Sequence, residues 1–217
     1  MRLTENRLRD IIRNIILREG AVTPEQLSDD YIVVIKDNGM FRHTNYEIML
    51  KYKYNHPKLS EPVEEVFADL SMRKWEGGMC DGAWEVYWAE VHEDYKDAGF
   101  GPLMYDIAME LAGSFGLMCD RKSVSEDAER VWKYYITRAD VYTEDIDIDN
   151  CPSDMLSSND EIAIRFFKGA EQPWHQKIYF STNTVAGSIQ PTIDRLEKLG
   201  RIERSYRMSG IDPKGVY

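Results

Sequence analysis

Lys96-Asp97-Ala98-Gly99-Phe100-Gly101 runs directly into Pro102–Ala112, where Leu103, Ile107 and Leu111 recur every four residues. That spacing predicts a helix, and Pro102 suits its first turn, where a missing N–H costs nothing. A glycine-bearing loop feeding a helix N-terminus offers free backbone N–H groups at the positive end of the helix dipole. Such a junction is an anion site. Gly99 and Gly101 remove side chains where a pyrophosphate has to come close. The spacing is neither G-x-G-x-x-G nor a Walker loop, which argues against dinucleotides and nucleoside triphosphates. The same residues also make a plain strand-to-helix connection, so their surroundings must decide.

Upstream, the chain reads as strands. Tyr31–Lys36 is a β-branched run closed by Asp37-Asn38-Gly39, and Tyr46–Tyr54 is aromatic-rich and closes at Asn55-His56-Pro57. Glu65–Trp75 and Ala83–His92 flank a glycine-rich loop and predict an antiparallel hairpin. Strict alternation puts Trp84, Val86 and Trp88 on one face of the second arm and Glu85, Tyr87, Ala89 and Val91 on the other. Downstream, Gly113-Ser114-Phe115-Gly116 ends the helix and Leu117–Asp120 is a short buried-type strand. Ser123-Val124-Ser125-Glu126 fits a capping box, and Ala128, Val131, Trp132 and Tyr135 line one face of the helix that follows. Core packing is the plain role for Trp132.

The composition sets the partners. The chain has 217 residues, with 27 Lys+Arg against 38 Asp+Glu and a net charge of -11. An acid excess of this size argues against nucleic acid and suits an amine-bearing partner. Cys80, Cys119 and Cys151 are odd in number and far apart, which predicts reduced thiols and a cytoplasmic setting. His43, His56, His92 and His175 are scattered, so no metal site is expected. No run is long and apolar enough for a membrane span. In residues 1–19, Leu3, Leu8, Ile11, Ile12, Ile15 and Ile16 interleave with arginines, which predicts an amphipathic helix able to dock on the body or on a protein partner.

The segment around the loop resembles the GNAT superfamily of N-acetyltransferases. Lys96-x-x-Gly99-x-Gly101 is similar to the family's Gln/Arg-x-x-Gly-x-Gly/Ala signature, with Lys in place of Gln or Arg. Ser125-x-x-Ala128-x-x-Val131-Trp132 is similar to its later Asn-x-x-Ala-x-x-aliphatic-Tyr motif, with Ser125 replacing Asn and Trp132 replacing the frequent general-acid Tyr. Gly116–Val141, with Asp120-Arg121-x-Ser123-Val124-Ser125, resembles a phage-encoded GNAT-like subgroup. The start of the chain looks like the leader of many tailed-phage proteins, and Leu17-Arg18-Glu19-Gly20 resembles a prohead-protease cleavage site.

The resemblance implies an α/β fold over about residues 20–181: a mostly antiparallel mixed sheet, splayed between its fourth and fifth strands and flanked by helices. It implies acetyl-CoA as cosubstrate, held by Val91, Lys96, Asp97, Ala98, Gly99, Phe100, Gly101, Pro102 and Ser125. Transfer to an amine then needs a group to take the ammonium proton and one to meet the leaving thiolate. Alternation lets only one of Glu85 and Glu90 face the cleft unless a bulge intervenes, and Glu90 is favoured as the base for its place near the splay; His92 is a second candidate. Tyr135, one turn past Trp132, is the candidate acid.

Asp140–Asp160 reads as an acidic connector, and Glu161–Lys168 and Lys177–Ser181 as closing strands. Residues 182–217 read as a helical extension, within which Thr192–Arg204 looks faintly like a winged-helix fragment. Two functions stay open: an acyl-CoA-dependent N-acyltransferase in the cytoplasm, including that of a phage host, or a GNAT-shaped binding or virion-associated protein without catalysis.

Overall fold

The computed structural model describes residues 22–39, 45–56, 59, 61–74, 80, 82–121, 123–139, 141–145, 177–181 and 192–206. Eight strands form one mixed sheet: β1 (Tyr31–Asp37), β2 (Asn45–Tyr54), β3 (Val63–Lys74), β4 (Trp84–Val91), β5 (Leu117–Cys119), β6 (Val141–Asp145), β7 (Lys177–Ser181) and β8 (Ile202–Tyr206). Their order is β6-β7-β5-β4-β3-β2-β1-β8. The β4–β5 and β1–β8 pairs are parallel and the others antiparallel. The described residues also hold three α-helices, α1 (Phe100–Ala112), α2 (Glu126–Tyr135) and α3 (Thr192–Lys198), and short 3-10 turns at Pro24–Gln26, Glu93–Tyr95 and Gly113–Phe115.

Alternation along the first strands decides which face α1 covers. Val33, Ile35, Ile48, Leu50, Leu70 and Met72 pack with Leu103, Met104 and Ile107 in one core. Leu103 and Ile107 are fully buried, and each such side chain contributes about 1.5–3 kcal/mol of hydrophobic stabilisation. The opposite face carries charge: Lys51 and Lys53 pair with Glu64 at 3.1 and 2.9 Å.

A bulge changes the face assignments predicted for β4. Ser71 pairs with Trp88 but Met72 pairs with Val86, which leaves Tyr87 as an extra residue. Trp84, Val86, Ala89 and Val91 therefore share the core face. Glu85, Trp88 and Glu90 share the other, so Glu85 and Glu90 are not separated by parity after all.

Other expectations are corrected too. Val141–Asp145, read as connector, is a strand paired along its length with β7; its polar side chains suit a sheet edge. The capping residue of α2 is Ser125, whose Oγ accepts from Ala128 N–H at 3.2 Å, and not Ser123, whose N–H donates to Asp120 Oδ1 at 3.1 Å. Residues 192–206 are no separate extension or winged helix: α3 packs on α1, and β8 joins the sheet beside β1. Cys80 is disulfide-bonded, against the expectation of three reduced thiols; separation in sequence sets no limit on which cysteines a fold brings within bonding distance. Residues 1–19, Cys151 and Glu161–Lys168 lie outside the described residues.

Candidate functional site

The site begins where β4 and β5 part. Their parallel pairing covers Trp84–Leu117, Glu85–Met118 and Val86–Cys119 and then stops. Among the described residues, no strand pairs with Tyr87–Val91 on that side, so alternate N–H and C=O groups of this stretch face a gap. Glu85 sits at the crotch of the fork. Its carboxylate is wholly buried and accepts from Arg121 N–H at 2.8 Å and from Arg73 Nε at 2.7 Å. The bond to Arg121 stands in for the next rung of the ladder. Glu85 is thus a strut between the strands and not a free base.

Past the fork, β4 passes through the turn Glu93–Tyr95 into the loop and α1. Gly99 is the N-cap of α1 in the left-handed region, with φ 82°, and supplies no side-chain cap. The Phe100 and Gly101 N–H groups precede the first intrahelical donor, Leu103 N–H, which bonds Gly99 O at 3.4 Å, and so belong to the helix-start donors that have no intrahelical acceptor. The loop is held from beneath by aromatic packing: Phe67 meets Tyr95 at 4.3 Å and Phe100 at 4.9 Å between ring centroids. Val22 N–H donates to Gly99 O at 3.1 Å. Such anchoring fixes the amides before any ligand arrives.

A groove of about 620 Å³ opens over this loop between β4 and α2. Its lining includes Glu90, Val91, Lys96, Asp97, Gly99, Phe100, Gly101, Pro102 and Ser125. These residues were predicted together, and the fold brings them together. Phe100 contributes backbone, since its ring is in the core. Ala98 is absent from the lining and packs against the core instead. Ser125 accepts as a cap, which leaves its hydroxyl hydrogen to donate. His92 also lines the groove, with Nδ1 accepting weakly from Asp94 N–H at 3.4 Å.

Cations and carboxylates alternate across the mouth. Lys96 contacts Glu93 at 2.8 Å and Asp127 at 3.7 Å, while Arg130 contacts Asp97 at 3.8 Å and is bonded to Asp127. Glu93 above all raises the Lys96 pKa, and Asp127 above all raises that of Arg130. Exposed pairs of this kind are weak, because solvent screens them and each costs side-chain entropy. Both cations are therefore free to exchange a carboxylate for a phosphate.

Tyr135 is elsewhere. Its side chain is fully buried, and its hydroxyl meets Pro102 O at 2.6 Å, as donor, and Asp106 Oδ1 at 2.8 Å. Burial first, then the Asp106 charge, hold its pKa well above that of a free tyrosine. The residue that does reach the groove is Tyr134. The signal for it was present, since Asp127, Val131 and Tyr134 follow i, i+4, i+7 spacing and so share a helix face. Tyr135→Phe is expected to cost about 1 kcal/mol of stability and to leave ligand affinity in the groove unchanged. Thermal melts beside a binding titration check both, and loss of affinity without loss of stability would return Tyr135 to the site.

On the far side of β4, Glu90 faces Asp69 across the β3–β4 ladder. Asp69 accepts a hydrogen bond from Trp88. Burial chiefly, then the charges of Glu90 and, less, Glu47, raise its pKa above the ordinary 3.8. The folded chain thus holds a proton that the unfolded chain has released, and stability falls as pH rises from 3.8 through the raised value. Asp69→Asn, which keeps an acceptor for Trp88, should raise Tm at neutral pH, with the gain shrinking toward the ordinary Asp value. A gain that is the same at both pH values would contradict this account. Cys119 offers no competing nucleophile, because burial pushes its thiol up to about 12.

No protein-family model, curated protein or solved structure gives a significant match to the chain.

Proposed function

We propose that the chain is a GNAT-like N-acetyltransferase, moving an acetyl group from acetyl-CoA to an amine. One observation carries the reading: the open end of the β4–β5 fork meets, in one groove, a helix N-terminus without a side-chain cap, two exchangeable cations and a carboxylate. The parallel β4–β5 pair, which ends after three rungs, supports the reading of a splayed sheet.

Each residue then has a task. The Phe100 and Gly101 amides, with Lys96 and Arg130, hold the pyrophosphate end of the donor. The open backbone of Ala89–Val91 takes the pantetheine amides, as an added strand would. Glu90 receives the proton that the ammonium must lose before its nitrogen can attack. In the step itself a nitrogen–carbon bond forms, the carbon–sulfur bond breaks, and the thiolate leaves as CoA. Tyr134 is the hydroxyl on the groove wall able to protonate that thiolate. Holding both reactants side by side supplies much of the acceleration.

Calorimetric titration of acetyl-CoA and CoA tests the reading. Micromolar binding of both is expected, and its absence overturns the proposal. A second reading is favoured by the burial of Trp132, which occupies the place of the family's tyrosine. There the donor is bound but not used, and CoA release in the presence of amines separates the two. A removable leader rests on residues outside those described, whereas the resemblance to phage-encoded proteins rests also on Gly116–Val141. No helix among the described residues is long and apolar enough to cross a membrane.

A further inference from the structure

The α3–β8 unit stands far along the chain from the donor groove, yet its contacts lead back to the groove's loop. It is one piece: Gly200 turns the chain at φ 66°, Arg201 N–H returns to Leu196 O at 2.9 Å, and Arg204 bonds Glu197 at 2.6 Å. The unit grips the C-terminal half of α1 directly. Glu110 accepts from the Thr192 and Ile193 N–H groups, the second at 2.8 Å, and Ile193 and Leu196 join Ile107 in the core.

Its other side chains hold residues 22–30. Arg195 makes a two-pronged bond to Glu25, with Nε at 2.8 Å. Arg201 reaches Asp29 at 2.6 Å and Pro24 O at 3.3 Å, while its own C=O accepts from Val33 N–H at 2.9 Å. Val22, at the head of the same segment, donates its N–H to Gly99 O at 3.1 Å, and Val22 and Leu27 are buried in the core that holds Phe67 and Phe100. Neither arginine is among the residues lining the groove.

We propose that residues 22–30 and the α3–β8 unit form a brace that aims the anion loop, with Arg195 and Arg201 as positioning residues for the pyrophosphate end of the donor. The planarity of one peptide unit carries the argument. Gly99 C=O and Phe100 N–H belong to the same rigid plane, so the direction of the carbonyl sets that of the amide. Glycine leaves that plane freer to turn than any other residue would. Two donors hold it from behind: Val22 N–H from the brace and Leu103 N–H from α1 share Gly99 O. The Phe100 N–H then points away from both. Loosening the distant arginines releases Val22 and lets the plane swing, and a ligand must then reorder it on binding.

The inference rests on the donor-groove reading, and its test separates the two. In Arg201→Met, CoA affinity by calorimetry is expected to fall about three- to tenfold through this ordering cost. In the ligand-free chain, the Val22 and Leu103 amides should exchange hydrogen about three- to tenfold faster, while the Ile107 amide, further along α1, keeps its rate. Glu25→Gln alters only an exposed side chain, so the fold survives, and it should shift both readouts in the same direction. Exchanging the charges, Glu25→Arg with Arg195→Glu, should restore them. Equal acceleration at Leu103 and Ile107 means general loss of stability and overturns the proposal. Unchanged CoA affinity in both single variants also overturns it. If the natural chain binds no CoA while the Val22 and Leu103 amides still respond selectively, the brace stands and the acyl-donor reading falls.

Discussion

Gly101→Glu is expected to lower CoA affinity by about a hundredfold or more while leaving the chain at least as stable as before. The two effects separate because of where Gly101 lies. A Cβ built there meets Val131 Cγ2 at 3.9 Å, which is ordinary contact. Glutamate is a better helix former than glycine by roughly 0.5–1 kcal/mol, and a carboxylate in the first turn suits the dipole. A pyrophosphate at the loop amides meets the opposite situation. A like charge within about 5 Å, at an effective dielectric near 20, costs about 3 kcal/mol per interacting charge. That corresponds to at least a hundredfold in the dissociation constant. Gly99 makes a poorer test, because any side chain at its φ of 82° strains the backbone whether or not a ligand binds. Calorimetry with CoA and a thermal melt on the same preparation decide the matter. Retained affinity would remove the anion cradle from the argument.

Glu85→Ala should be the most destabilising single change in the site. It removes the carboxylate that accepts from the Arg73 guanidinium and from the buried Arg121 N–H, at the point where two strands must part in a defined way. An orphaned buried donor costs about 1–3 kcal/mol, and the lost ion pair and vacated volume add to it. A total of about 3 kcal/mol lowers Tm by about 6–12 °C for a domain of this size. Glu85→Gln keeps an acceptor for the amide and should recover about half of the loss. If both variants melt with the natural chain, the strut has no weight.

Local patterns revealed the strands and helix that build the site, and chain topology supplied what they could not. β1, β2 and α1 were legible because each is long enough for its period to be unambiguous. The loop residues were legible because glycine and proline have few reasons to stand together at a helix start. The β4 bulge was not, since Trp84, Val86 and Trp88 alternate perfectly in sequence. Only pairing with β3 shows that Tyr87 is the extra residue. β6 was missed because its edge position makes it as polar as a connector. On α2, alternation between core and groove turns on a single position, which is why Tyr135 was favoured where Tyr134 lines the groove. Residues 192–206 have the local signature of many helix–strand units, and nothing within them names β1 as a neighbour.

That last pairing also bears on how the molecule is made. β1 is flanked on one side by β2, close behind it in the chain, and on the other by β8, with Val33 beside Ile202. During synthesis β1, β2, β3 and β4 can associate early, yet one border of β1 stays bare until almost all of the described chain has emerged. A bare border of Ile32, Val33 and Val34 is a template for strands of other molecules. Long-range closure of this kind is also slow to form. The nascent protein thus passes through a sticky stage that ends when β8 arrives, and shortening the chain before residue 202 would make that stage permanent.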